Sequence, residues 1–160
     1  MIKTQLIFDF YTTFSTVNEF RVGTLVYKSS IQNLKFMATS GLSHYQGIGS
    51  CNKKGRGAIP PCEFIGIPNY TVSTKPIFMP GIRGVEGNFY QILPFEVSVI
   101  QYEKKTKRGD FGIHADKNTK GTAGCIGVSP GIHWEKFQDI MLKTLLRGEE
   151  TIDLFVPRNN

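Results

Sequence analysis

Cys125, in TAGCI (122–126), and His114, in GIHAD (112–116), are the residues of this chain whose types and spacing could do covalent chemistry. A thiol attacks a carbonyl carbon as the thiolate, yet an unperturbed cysteine with a pKa of about 8.5 is only slightly ionised near neutrality. A neighbouring imidazolium that lowered this pKa by about two units, worth about 2.7 kcal/mol, would make the anion a major species. His114 is the candidate for that role and for general base. Gly124 leaves room for a scissile carbonyl beside the sulfur, and the Ala123-Gly124-Cys125 backbone can turn N–H groups towards a developing oxyanion. His44, in an irregular loop, and His133, just after Cys125, are the competing imidazoles. The alternative is that the Cys/His pair is buried and does no chemistry.

The elements that must position this pair are mostly strands. QLIFDFY (5–11), EFRVGTLVYKSS (19–30) and NLKFMATSG (33–41) alternate at hairpin spacing, which predicts an opening meander. Residues 41–61 lose all periodicity and read as a long functional or mobile loop. Strand character returns in CEFIGIPNYTV (62–72) and, after the glycine-rich MPGIRGVEG (79–87), in NFYQILPFEVSVIQYEKK (88–105), while KKTKRGD (104–110) reads as a solvated turn. Its Arg-Gly-Asp tripeptide is taken as incidental to that turn. Trp134, Phe137, Met141 and Leu145, joined by Ile140 and Leu146, recur at helical spacing. Ser129-Pro130 predicts the start of this helix and Arg147-Gly148 its stop, with TIDLFV (151–156) as a final strand.

One domain is expected for the 160 residues. The 17 glycines, 8 prolines and 12% aromatic content suit a turn-rich fold, so a mainly β, β-rich α+β class is expected. The net charge of +6 favours an anionic partner without choosing one. The KKTKR and KKGR clusters are read as solvated loops, and nucleic acid is not an expected partner. No stretch approaches 18 apolar residues, and the N-terminus lacks the pattern of a secretory signal, so synthesis without export and no membrane span are expected. Three cysteines make no disulfide framework, and whether Cys51 and Cys62 pair is left open. No H-x-x-x-H, H-x-H or paired-cysteine spacing points to zinc, so neither metal nor cofactor is expected.

Both halves of the pair resemble, in order, the motifs of the L,D-transpeptidase catalytic domain (YkuD-like) family: a strand end I-H-G/A, matched by GIHAD, and S/T-x-G-C-aliphatic, matched by TAGCI. Papain-like and NlpC-like enzymes carry the two residues in the opposite order. The likeness extends through FMATSG (36–41), GAIPPCEFIGI (57–67) and the helix with its closing strand. It implies a β-sandwich of mixed sheets with one helix in the C-terminal half, Cys125 as nucleophile, His114 as base and Thr122 as the hydroxyl residue beside them. It further implies a monomeric cysteine enzyme that acts on peptidoglycan stem peptides. A lytic agent such as a phage endolysin or a secreted antibacterial effector, delivered to the cell wall, is the expected branch. The chain departs from the pattern at Ala123, where a second histidine is frequent, and at Gly127, where an arginine is frequent. Arg83 or Lys120 could replace that arginine as a carboxylate anchor, and Asp116 or Asn118 could orient His114 or form a turn.

Overall fold

The computed structural model describes residues 3–17, 20–116 and 122–158. Twelve strands follow one another as β1 (Gln5–Asp9), β2 (Ser15–Val17), β3 (Phe20–Lys28), β4 (Asn33–Gly41), β5 (Tyr70–Ser73), β6 (Ile77–Met79), β7 (Gly87–Leu93), β8 (Glu96–Gln101), β9 (Lys104–Gly109), β10 (Gly112–Ala115), β11 (Thr122–Val128) and β12 (Thr151–Phe155). A short helix α1 (Cys62–Ile65) precedes β5, and a long one, α2 (Ile132–Leu146), joins β11 to β12. The fold is thus mainly β with one long helix in the C-terminal half. Its main layer is one mixed sheet rather than two stacked sheets. The order β1-β12-β5-β7-β10-β11-β4-β3 returns to β1 through five antiparallel pairs running from Gln5↔Lys28 to Asp9↔Thr24, and so closes a barrel. The β1–β12 and β10–β11 pairs are parallel, and the other pairs of the barrel are antiparallel.

Period-two burial drives this closure. Leu6 and Phe8, Leu25 and Tyr27, Tyr70 and Val72, and Ile152 and Leu154 alternate with half-buried or exposed neighbours, so each strand has one face to remove from water. Closing the sheet on itself buries those faces together and leaves no open edge along the ring. The helix covers part of it: Phe137 meets Phe36 and Tyr90 edge to face, Trp134 meets Tyr90, and Thr144 bonds the Tyr27 hydroxyl at 2.7 Å. Trp134, Phe137, Ile140 and Met141 form the buried stripe as their spacing predicts, whereas Leu146 is 76% exposed. The helix starts after Gly131, not at Ser129-Pro130, and Gly148, at φ +95°, supplies the left-handed stop.

Two further segments differ from the sequence reading. Cys62–Ile65 is a helical turn ending at Gly66, so the strand there begins only at Tyr70. KKTKRGD is no turn: Lys104–Gly109 pairs with Glu96–Gln101 as a separate two-stranded ribbon. The turn lies two residues earlier, at Tyr102-Glu103, both with positive φ (54° and 60°), as a tight hairpin with right-handed twist requires. Glycine or asparagine usually marks such a turn, and neither is present. The tripeptide Arg108-Gly109-Asp110 closes this strand with Arg108 turned inward at 3% exposure.

Residues 42–61 carry little regular structure, yet many bonds hold them. Gln46 Nε2 bonds Thr39 Oγ1 and two carbonyls, and the Tyr11 hydroxyl donates to Ile59 O at 2.6 Å. Cys51, Ala58 and Ile59 are fully buried. Cys51 and Cys62 are both buried free thiols with no disulfide between them.

Candidate active site

Parallel strands β10 and β11 bring the two halves of the motif side by side, with His114 opposite Gly127. On its other flank β11 pairs with β4, and the register jumps from Thr122↔Gly41 to Ile126↔Ser40. Ala123, Gly124 and Cys125 therefore bulge out of the ladder, a device that re-aims a side chain away from the sheet. Gly124 makes the bulge possible at φ +92°. No side chain would fit there in any case, since a Cβ would lie 2.5 Å from Arg108 Nη2 and 2.6 Å from the Phe111 ring. Two hydroxyls pin the bulge: Ser40 Oγ donates to Cys125 O at 2.6 Å, and Thr122 Oγ1 donates to the same oxygen. Ser40 Oγ also accepts from Ile59 N at 2.9 Å, which couples the bulge to the 42–61 segment.

His114 is 3% exposed and stacks on Phe89 with ring centroids 6.2 Å apart and planes 17° from parallel. Phe89 in turn fills the space over Gly112, where a Cβ would lie 2.0 Å from the ring. His114 Nδ1 lies 2.8 Å from Ala115 O. A carbonyl can only accept, so Nδ1 carries the hydrogen, and in the neutral ring Nε2 is left as the base.

His114 and Cys125 line one cavity of about 420 Å³ together with Leu42, Arg83, Gly84, Val85, Thr122 and Ala123. Among the described residues the two side chains make no hydrogen bond to each other; the thiol instead points at Asp110 O, 3.7 Å away. The electrostatics differ from the expected ion pair. Burial pushes the Cys125 thiol up to about 11, reinforced by Asp110 and opposed by the Gly112 N–H and by Arg108. Burial also holds His114 below its ordinary value, against the Ala115 carbonyl. Both shifts favour the uncharged forms, a thiol and a neutral imidazole, because burial withholds solvent from the charged ones.

Arg83, expected as a carboxylate anchor, lies on this cavity wall, as do Thr122 and Ala123. Gly124 sits behind it, buried. Asp116 is not on the wall: it packs over Gly127, where a Cβ would lie 3.0 Å from Asp116 Cβ and 3.1 Å from Thr122 Cγ2. A side chain at position 127 would crowd both, so the glycine suits this packing. Lys120 and Asn118 lie outside the described residues. His133 Nδ1 accepts from Met37 N at 3.2 Å at the start of α2, and His44 holds a left-handed turn at φ 68°, so neither borders the thiol cavity.

The sequence reading missed Ser40, Phe89 and Arg108. Ser40 closes the FMATSG strand, and its signal was a hydroxyl at a buried phase of that strand. Phe89 and Arg108 carry no local signal. A second cavity, of about 450 Å³, meets the first at Ala123 and is lined by Lys54, Lys107, Arg108, Glu96 and Asp110 among others. Among the described residues no group of three or more His, Cys, Asp or Glu side chains is placed to hold a metal ion, and no helix is long and apolar enough to cross a membrane.

Fold and site together define a closed mixed barrel that carries a half-buried thiol and an imidazole on neighbouring parallel strands. No family profile, curated protein or solved structure matches this chain.

Proposed function

We propose that the chain is a cysteine-dependent hydrolase of peptidoglycan stem peptides, working through an acyl-thioester. The observation that supports this reading most is that Cys125, raised on a backbone bulge, and His114, with Nε2 as its basic nitrogen, share one cavity wall. As the sulfur bonds to the amide carbon, the thiol proton passes to His114 Nε2, which removes the need for a resting thiolate. The imidazolium then protonates the departing amine as the C–N bond breaks. A water molecule, deprotonated by the same nitrogen, attacks the thioester, releasing the acid and restoring the thiol. An amine in place of water gives cross-linking or amino-acid exchange, the alternative outcome. Arg83 on the cavity wall is suited to a substrate carboxylate. The net charge of +6 suits an anionic wall, in keeping with a lysis enzyme or a delivered antibacterial effector.

Defined muropeptides incubated with the native chain and with C125A, read by mass spectrometry, test the reading. Fragments with added water, formed only by the native chain, support hydrolysis, and joined or exchanged products support transfer. No conversion that depends on Cys125 refutes both. A second reading, a non-catalytic wall-binding module, is favoured by the thiol being pushed up to about 11. It predicts retention on isolated cell walls by native chain and C125A alike, with no product from either.

A further inference from the structure

Arg108 is 3% exposed, and its guanidinium is spent on backbone carbonyls: Nη1 donates to Cys51 O and Ala58 O, each at 2.8 Å, and Nη2 donates to Gly57 O at 2.9 Å. Carbonyls solvate a cation without neutralising it. Among the described residues Arg108 forms no ion pair, so the β8–β9 ribbon holds a buried charge against the barrel, an arrangement that ordinarily costs stability. Its position relates this charge to the sulfur. Nη2 occupies the space that a side chain on Gly124 would need, directly before Cys125 in the bulge. The guanidinium also lies 5.3 Å from the centre of the Phe111 ring.

We propose that Arg108 is a positioning residue for Cys125: anchored to the 51–58 segment, it packs behind Gly124 of the bulge and holds there a fixed positive charge that favours the negative sulfur formed during attack. This rests on the reading of Cys125 as the nucleophile. Three observations converge on it. The fork of three carbonyl bonds fixes where the charge sits, which a lysine's single ammonium does less rigidly. The glycine at 124 gives the guanidinium its approach. Burial and Asp110 raise the thiol's pKa while Arg108 acts in the opposite sense. The other charged groups nearby are exposed, where water screens them: Arg83 on the Cys125 cavity wall, and Lys54, Lys107, Glu96 and Asp110 around the second cavity.

The test is alkylation of the full chain by iodoacetamide between pH 6.5 and 10, with modification mapped to Cys125 by mass spectrometry; Cys51 and Cys62 are buried and react slowly. R108Q removes the charge, and the Cys125 rate is expected to fall about tenfold at each pH below the thiol's pKa. R108K keeps the charge and is expected to stay within about threefold of the native rate, with a lower melting temperature. A folded R108Q with the native profile overturns the proposal, as does an R108K as slow as R108Q. Should R108Q not fold, the exposed double variant K54Q/K107Q decides. A rate within about twofold of native supports the buried charge, whereas a tenfold loss overturns the proposal by assigning the field to surface cations. Alkylation reads the thiol and not the substrate, so failure on muropeptides and failure here are separate results.

Discussion

Replacing Ser40 by alanine probes how the bulge is held. Ser40 is fully buried, and its hydroxyl both donates to Cys125 O at 2.6 Å and accepts from Ile59 N at 2.9 Å. In S40A the Cys125 carbonyl keeps Thr122 Oγ1, but the buried Ile59 N–H loses its partner. A buried donor left unsatisfied costs about 1–3 kcal/mol, and the lost bond to Cys125 O adds about 1 kcal/mol. A total near 3 kcal/mol, at about 3 °C per kcal/mol for a chain of this size, lowers the melting temperature by about 9 °C. T122V removes one of two donors to the same carbonyl and strands no buried donor, so about 1 kcal/mol and about 3 °C are expected. Calorimetry of the two single variants and the double variant measures both costs and their coupling, and Cys125 alkylation on the same samples shows whether the sulfur has moved. If T122V proves as costly as S40A, or S40A melts within a degree or two of the native chain, the bulge is not held in the way described.

Three other outcomes are expected. The Cys125 alkylation rate rises with pH without levelling near neutrality and bends only towards about 11; a plateau by pH 7 would show a preformed ion pair instead. G112A places a methyl 2.0 Å from the Phe89 ring that stacks on His114, costing about 1–3 kcal/mol by denaturant melting, and slowing any Cys125-dependent turnover; unchanged stability would mean that the ring moves freely. His114 has a folded pKa below its unfolded value, so its contribution is present above about pH 6.5 and is lost as pH falls through the lower folded value. Chemical melts from pH 7.5 to 4.5 are therefore expected to show a steeper acid loss in the native chain than in H114Q, and parallel curves would argue against a neutral buried ring.

Strands with one apolar face were legible in the sequence because period-two alternation reports burial directly, as in Leu6 and Phe8 or Ile152 and Leu154. The α2 stripe was legible for the same reason, except at Leu146, which lies past the surface that Phe36 and Tyr90 provide. Barrel closure was not legible, since pairing of β1 with β3 and β12 joins residues far apart in the chain and leaves no local mark. The β9 strand was hidden by its cations: Lys105 and Lys107 are exposed on the outer face of a ribbon, and only Arg108 turns inward. At the site, the order of His114 and Cys125 was readable from TAGCI and GIHAD. Their ionisation was not, because it depends on burial of both groups in the folded chain, which no local pattern records.

Strand β1 has β12 on one side and β3 on the other, so the ring joins its first segment to its last. A nascent chain that has emerged only as far as α2 still lacks the partner that β1 and β5 both need, and two rows of backbone groups stay bare until synthesis reaches residue 155. Contacts of such high sequence separation slow folding and leave the partly made chain prone to association. The Cys/His cavity therefore matures late, and C-terminal truncations that spare every residue of the site are expected to abolish it nonetheless.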